Sequence, residues 1–237
     1  MSILTHAIKN LFTAPAKPQQ VPAPTTAKKC VLNVGGNSKG IPIPSHYTGW
    51  RHDLLDIDPA GNPDVVCDAR EMLTLPGGVY DAIYCSHNLE HYHRHHARRV
   101  LQGFRHVLKD DGFVELRVPD IQQVLAAVHG KGMELDDELY VSPAGPITAH
   151  DVIYGYHVEI ERSGQDFYAH KMGFTPMSMT QMLKDAGFAG LYASAQLRLE
   201  VHAVAFKAEL NAKNSEYLEF IKQSYQDFWQ VRTSAPT

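Results

Sequence analysis

Between Cys30 and Pro119 short apolar runs alternate with turns and helical segments, and this alternation most constrains the fold. The runs read "CVLNVG", "RHDLLDID", "PDVVCDA", "YDAIYCS" and "FVELRVP", and each is short enough to be a strand. Before the fifth, "HHARRVLQGFRHVL" places Val100, Leu101, Phe104, Val107 and Leu108 on one helical face, with Gly112 expected as its C-terminal stop. After it, "DIQQVLAAVHG" reads as a helix capped by Asp120. A further helix, "SMTQMLKDAG", and two strands near "YASAQLRL" and "VHAVAFKA" follow. Strands separated by helices build a mostly parallel α/β sheet covered on both faces, and such sheets bind ligands outside the carboxyl ends of their strands.

Residues 1–27 fall outside that rhythm. Leu4, Ile8, Leu11 and Phe12 could line a short amphipathic helix, and a stretch rich in Pro, Ala and Thr follows as a linker. The folded domain is expected at 28–210, with an irregular insertion over about 131–175. An amphipathic helix at 211–237 places Leu218, Ile221, Tyr225, Phe228 and Trp229 near one face. The two terminal segments leave open a docked partner or a homodimer. A net charge of −4 offers no overall attraction for nucleic acid. No apolar run reaches the roughly 18 residues that span a bilayer, and no signal-peptide pattern is present, so a cytoplasmic protein is expected. Cys30, Cys67 and Cys85 lack metal-ligand spacing and read as free thiols.

The strand ends carry the chemistry. The first runs into Gly35-Gly36-Asn37, residues that tolerate positive φ and let a ligand approach the backbone. Neither G-x-x-x-x-G-K-[ST] nor G-x-G-x-x-G is present, and Pro42 and Pro44 stand where a dinucleotide-binding helix would begin. The second strand ends in "LDIDP", where Asp56 or Asp58, about 20 residues after the glycines, could accept from two vicinal ribose hydroxyls. The third supplies Asp68, an acceptor for an adenine amino group, and the fourth ends in "CSHNLEHYH".

These four ends together resemble the class I S-adenosylmethionine-dependent methyltransferases over about residues 30–207. "VLNVGG" is similar to that family's first motif, "LDIDP" to the acidic second, "DVVCDARE" to the adenine-side motif and "YDAIYCSHNLEHY" to the fourth. "SPAGPI", "YG" and "AHKMGFT" look like those of a bacterial subgroup. The resemblance implies a Rossmann-like seven-stranded sheet of order 3-2-1-4-5-7-6 with one antiparallel strand. It implies S-adenosylmethionine as cofactor, with Gly35, Gly36 and Asn37 along its carboxypropyl arm and Asp56 on the ribose. Ile57 would lie on the adenine, Asp68 and Ala69 at its edge, and Ser86 and His87 beside the sulfonium. The family's G-x-G-x-G is altered, with Asn37 and Lys39 at the second and third positions, and about 17 residues between strands one and two make a shortened or absent first helix expected.

Methyl transfer to oxygen needs alignment, exclusion of water and a base near neutral pKa, which histidine supplies. His87, His150 and His170 are the candidates, and O-methylation of a small molecule or sugar is the expected reaction. His91 and His95 have the spacing of two metal ligands on a helix face, but a third ligand would have to come from afar, so no metal is expected. An NAD-dependent oxidoreductase and a non-catalytic cofactor-binding scaffold are the alternatives.

Overall fold

The computed structural model describes residues 28–142, 144–196 and 198–234, with side chains as far as Gln226. The expected N-terminal helix and linker, Pro143, and the face positions Phe228 and Trp229 lie outside this described part. Nine strands and six α-helices follow in order. They are β1 (Cys30–Val34), β2 (Arg51–Asp56), β3 (Val65–Val66), β4 (Tyr80–Ser86), α1 (Arg94–Val107), β5 (Leu108–Pro119) and α2 (Ile121–Lys131). Then come β6 (Glu138–Ser142), β7 (Gly145–Thr148), α3 (Ala149–Tyr154), α4 (His157–Ser163), α5 (Pro176–Asp185), β8 (Gly190–Gln196), β9 (Glu200–Phe206) and α6 (Ala212–Ser234).

Seven strands form one sheet in the order β3-β2-β1-β4-β5-β9-β8, with β9 antiparallel to both neighbours. Setting aside the separate β6–β7 hairpin, this is the order 3-2-1-4-5-7-6. The pattern explains the centre: every residue of β1 is buried, as a strand covered on both faces requires. One face packs against α1 and α5, where Val100, Leu101, Phe104 and Val107 are fully buried with Met179 and Leu183. α1 ends at Val107, short of Gly112, because Lys109–Gly112 instead form an irregularity in β5, which pairs at Leu108 with Tyr80 and resumes at Phe113 with Ala82.

The other face explains the missing helix. After β1 the chain makes only a 3-10 turn, Ser45–Tyr47, consistent with Pro42 and Pro44. The apolar side chains of Val31, Ala82, Tyr84, Phe113 and Val204 would otherwise face water. Leu218 and Ile221 of α6 and Tyr47 of the turn cover them instead. Leu218, Ile221 and Tyr225 of α6 are therefore turned inward. No described helix is long and apolar enough to cross a membrane.

That second face also holds charge. Alternation along β5 sends Phe113, Glu115 and Arg117 to the α6 side, with Val114, Leu116 and Val118 opposite. Glu115, fully buried, accepts from Tyr47 Oη at 2.8 Å and lies 2.9 Å from His46 Nε2 and 3.0 Å from His202 Nε2. Arg117 donates to Glu200 at 2.9 Å, Glu200 also accepts from Tyr225 Oη at 2.8 Å, and the Tyr225 ring stacks on His202. Burial pushes the Glu115 carboxyl up, but hydrogen bonds from His202 and His46 win and hold it well below the usual carboxylate range.

Candidate functional site

The carboxyl ends of β1, β2 and β4 open onto a cavity of about 500 Å³ lined by Gly35, Asn37, Asp56, Ile57, Asp68 and His87, among others. A second, of about 320 Å³, touches Gly36, Asn37, Ser86, His87 and Arg117. A third, of about 130 Å³, lies under the 131–175 segment and touches His87, Tyr140, Tyr156, His170 and Glu200. His87 lines all three.

The glycine loop is built for close approach. Gly35 (φ +72°) and Asn37 (φ 58°) are left-handed, the conformation that Gly and Asn tolerate best. Asn37 N–H donates to Asp56 Oδ2 at 3.0 Å, and Asp58 N–H donates to Asp56 Oδ1 at 3.0 Å, so the carboxylate at the end of β2 pins the loop. Each oxygen keeps a further lone pair for a ligand hydroxyl. Lys39, at the position of the family's third glycine, is tied to Asp64 at 2.6 Å. A Cβ on Gly35 would lie 2.2 Å from Asn88 Nδ2. Gly35→Ala is therefore expected to destabilise the fold by about 1–3 kcal/mol, read as a Tm loss of several degrees in a thermal melt. An unchanged Tm would show that Asn88 and the loop move aside freely.

Asp68 caps the 3-10 turn Ala69–Thr74 through Arg70 N–H and is ion-paired with the Arg70 guanidinium. Burial raises its pKa, but the hydrogen bonds from Arg70 prevail and lower it. A ligand amino group would share this carboxylate with Arg70. Ile57 is half-exposed on the cavity wall, whereas Ala69 is buried in the core and does not line the cavity.

The histidines separate into three cases. His87 holds a left-handed backbone (φ 50°), a strained conformation of the kind that concentrates at functional sites. Its Nε2 lies 2.8 Å from Glu200 Oε1 and its Nδ1 3.4 Å from Glu90 Oε1. Burial lowers its pKa, but the two carboxylates overcome this and raise it to about 9, so at neutral pH the ring is an imidazolium and a donor. His170 is the opposite case: burial holds it below the ordinary imidazole value, and its Nδ1 donates to Val152 O at 2.8 Å, leaving Nε2 with a lone pair. His150 is not brought to the site. It is half-exposed on α3, bound to Asp136 at 3.0 Å, and lines none of the three cavities.

His170 reaches the strand ends because the chain folds back on itself. Gly155 (φ +105°) lets the backbone of Tyr168–His170 cross against it, where a Cβ would lie 2.4 Å from Tyr168 O. Lys171 N–H then donates to Glu90 O at 2.8 Å. His91 and His170 rings meet at 4.8 Å, while the His95 ring lies tilted against His96 at the surface. Sequence reasoning missed Glu90, Asn88, Arg117 and Glu200. A lone acid opening an otherwise apolar strand was the available signal for Glu200.

The sequence profile of a family described as a methyltransferase domain matches residues 9–193. No curated protein matches the chain. Among solved structures it is similar to a possible exported protein from Bordetella parapertussis, at 16% identity over 76% of this chain and 62% of that one, TM-score 0.47. It is also similar to a SAM-dependent methyltransferase from Archaeoglobus fulgidus, at 15% identity over 76% and 86%, TM-score 0.47. A third similarity is to 1,6-didemethyltoxoflavin-N1-methyltransferase from Burkholderia thailandensis with bound 1,6-didemethyltoxoflavin and S-adenosylhomocysteine, at 15% identity over 77% and 72%, TM-score 0.44.

Proposed function

The chain belongs to the methyltransferase-domain family, and from that premise we propose that it carries a methyl group from S-adenosylmethionine to an oxygen of a small molecule or sugar. The observation that carries this reading is the convergence of three cavities on His87, which fit a nucleoside-sized space, an arm space and a smaller acceptor space.

The residues present fit the cofactor. Four aspartates, Asp56, Asp58, Asp68 and Asp166, and three cations, Arg70, Lys171 and the His87 imidazolium, line the larger cavity. This balance favours a positively charged nucleoside over a pyrophosphate, and the 3-10 turn after β1 offers no long helix N-terminus to a phosphate. That weighs against the NAD-dependent alternative. When bound, the cofactor supplies a methyl group on a positively charged sulfur. Asp56 would hold the ribose, Ile57 the adenine face, and Asp68 with Ala69 its edge. Gly36 and Ser86 would border the methionine arm. In the acceptor space His170 has the free lone pair that can take a hydroxyl proton, while His87, already protonated, orients Glu90 and Glu200. The 131–175 segment, including "SPAGPI" and the approach to His170, would act as the lid that excludes water.

Calorimetric titration with S-adenosylhomocysteine tests the reading. Micromolar binding is expected, weakened at least about 100-fold in Asp56→Ala, since a charged hydrogen-bond partner of the ribose is removed. Equal binding by the variant, or none by the wild type, would overturn it.

A further inference from the structure

We infer that Glu90, His91 and His170 form a binding site for one divalent transition-metal ion of the zinc or manganese kind. The three residues each offer a ligand atom within 4.8 Å of the others. Glu90 is 1% exposed, and neither of its carboxylate oxygens accepts a hydrogen bond among the described residues. A buried carboxylate left this way costs several kcal/mol unless a cation completes it. The nearest charge is His87 Nδ1 at 3.4 Å, without hydrogen-bond geometry.

The two histidines are oriented to match. His91 Nδ1 donates to Ala169 O at 3.3 Å, and His170 Nδ1 donates to Val152 O at 2.8 Å. In the neutral ring each Nε2 is therefore the nitrogen that carries the lone pair. Fixing the tautomer by a backbone carbonyl on the far nitrogen is how metal-bound imidazoles are held. The cluster thus converges three acceptors and no donor, and two imidazoles with one carboxylate suit zinc, manganese or iron better than magnesium or calcium. It also uses His91 with residues brought from 79 positions along the chain at His170, in place of the helix-spaced His95.

The place of this ion in catalysis rests on the methyl-transfer reading; its binding does not. His91 lines the nucleoside-sized cavity and His170 the acceptor space, so the ion would stand at the wall between them. It would occupy the lone pair of His170 and, by binding an acceptor hydroxyl, would lower its pKa so that the proton leaves to solvent before methyl transfer.

Full-length protein freed of metal with a chelator would be titrated with zinc chloride, manganese chloride and magnesium chloride separately. One zinc or manganese ion per chain is expected, with magnesium at least tenfold weaker. An excess of about 100 times Kd should raise Tm by roughly 5–10 °C. Glu90→Gln and His91→Gln should each weaken binding at least about tenfold, while His95→Ala leaves it unchanged. No one-to-one binding, or binding lost in His95→Ala and kept in Glu90→Gln, would overturn the site. S-adenosylhomocysteine binding, measured on the same samples, separates the two readings. Retained without metal binding, it sinks only the metal site. Lost beside intact zinc binding, it sinks the transfer reading and leaves the site standing.

Discussion

Glu200→Gln is expected to lower the stability of the fold by about 3–5 kcal/mol, the range for breaking a buried ion pair from one side. Glu200 is 6% exposed and Arg117 is 3% exposed. The carboxylate accepts from Arg117 Nη2 at 2.9 Å and Tyr225 Oη at 2.8 Å, and its other contact is His87 Nε2 at 2.8 Å. Gln keeps the shape but not the charge. The guanidinium then stays in the interior beside Tyr84 and Tyr225 without the opposite charge of Glu200. For a chain of this size the loss should appear as roughly 6–20 °C in Tm, and as a lower urea midpoint with an unchanged slope. A second readout separates charge from shape: the His87 ring, deprived of one carboxylate, should titrate closer to an ordinary imidazole by NMR. A change below about 1 kcal/mol would mean that Arg117 finds solvent or another partner, and the buried network would then be incidental to stability.

The sheet was legible because its central strands are apolar on both faces and its helices show a clear 3.6-residue stripe, as in α1 with Val100, Leu101, Phe104 and Val107. The loss of the first helix was legible from two prolines. What stood in its place was not. "FVELRVP" alternates charged and apolar residues, which ordinarily means a face open to water. Here that face lies beneath α6, and Glu115 and Arg117 are satisfied by His46, His202, Tyr47 and Glu200, scattered from the first turn to the last strand. No local pattern announces such partners. Asp56 and Asp68 line the cavity at positions the sequence could fix, because both sit at strand ends, where the chain order sets their place. His170 was a candidate, but its meeting with Glu90 was not legible, because a left-handed Gly155 and a backbone latch at Lys171 bring the two together. His150, equally plausible by composition, was carried to the outer surface by the same short helices.

Acid should unfold this protein earlier and more steeply than its modest net charge implies. Burial raises the Glu200 pKa, but the charge of Arg117 and the hydrogen bond with His87 prevail and hold it at about 2, against an ordinary value of 4.5. A carboxyl lowered on folding stabilises fully above its unfolded value, and the contribution is lost as pH falls through the folded one. For Glu200 the window runs from 4.5 down to about 2, and the stability lost across it is about 3 kcal/mol. Glu115, held low by His202 and His46 against its burial, adds a loss of the same sign that begins at the same upper edge. Urea midpoints followed from pH 7 to pH 3 should fall increasingly steeply below pH 5. In Glu200→Gln the fall should be shallower by the Glu200 share, although that variant starts from lower stability. Parallel curves for the two proteins would show that Glu200 titrates alike folded and unfolded. Its contacts with Arg117 and His87 would then stabilise the carboxylate no more than water does.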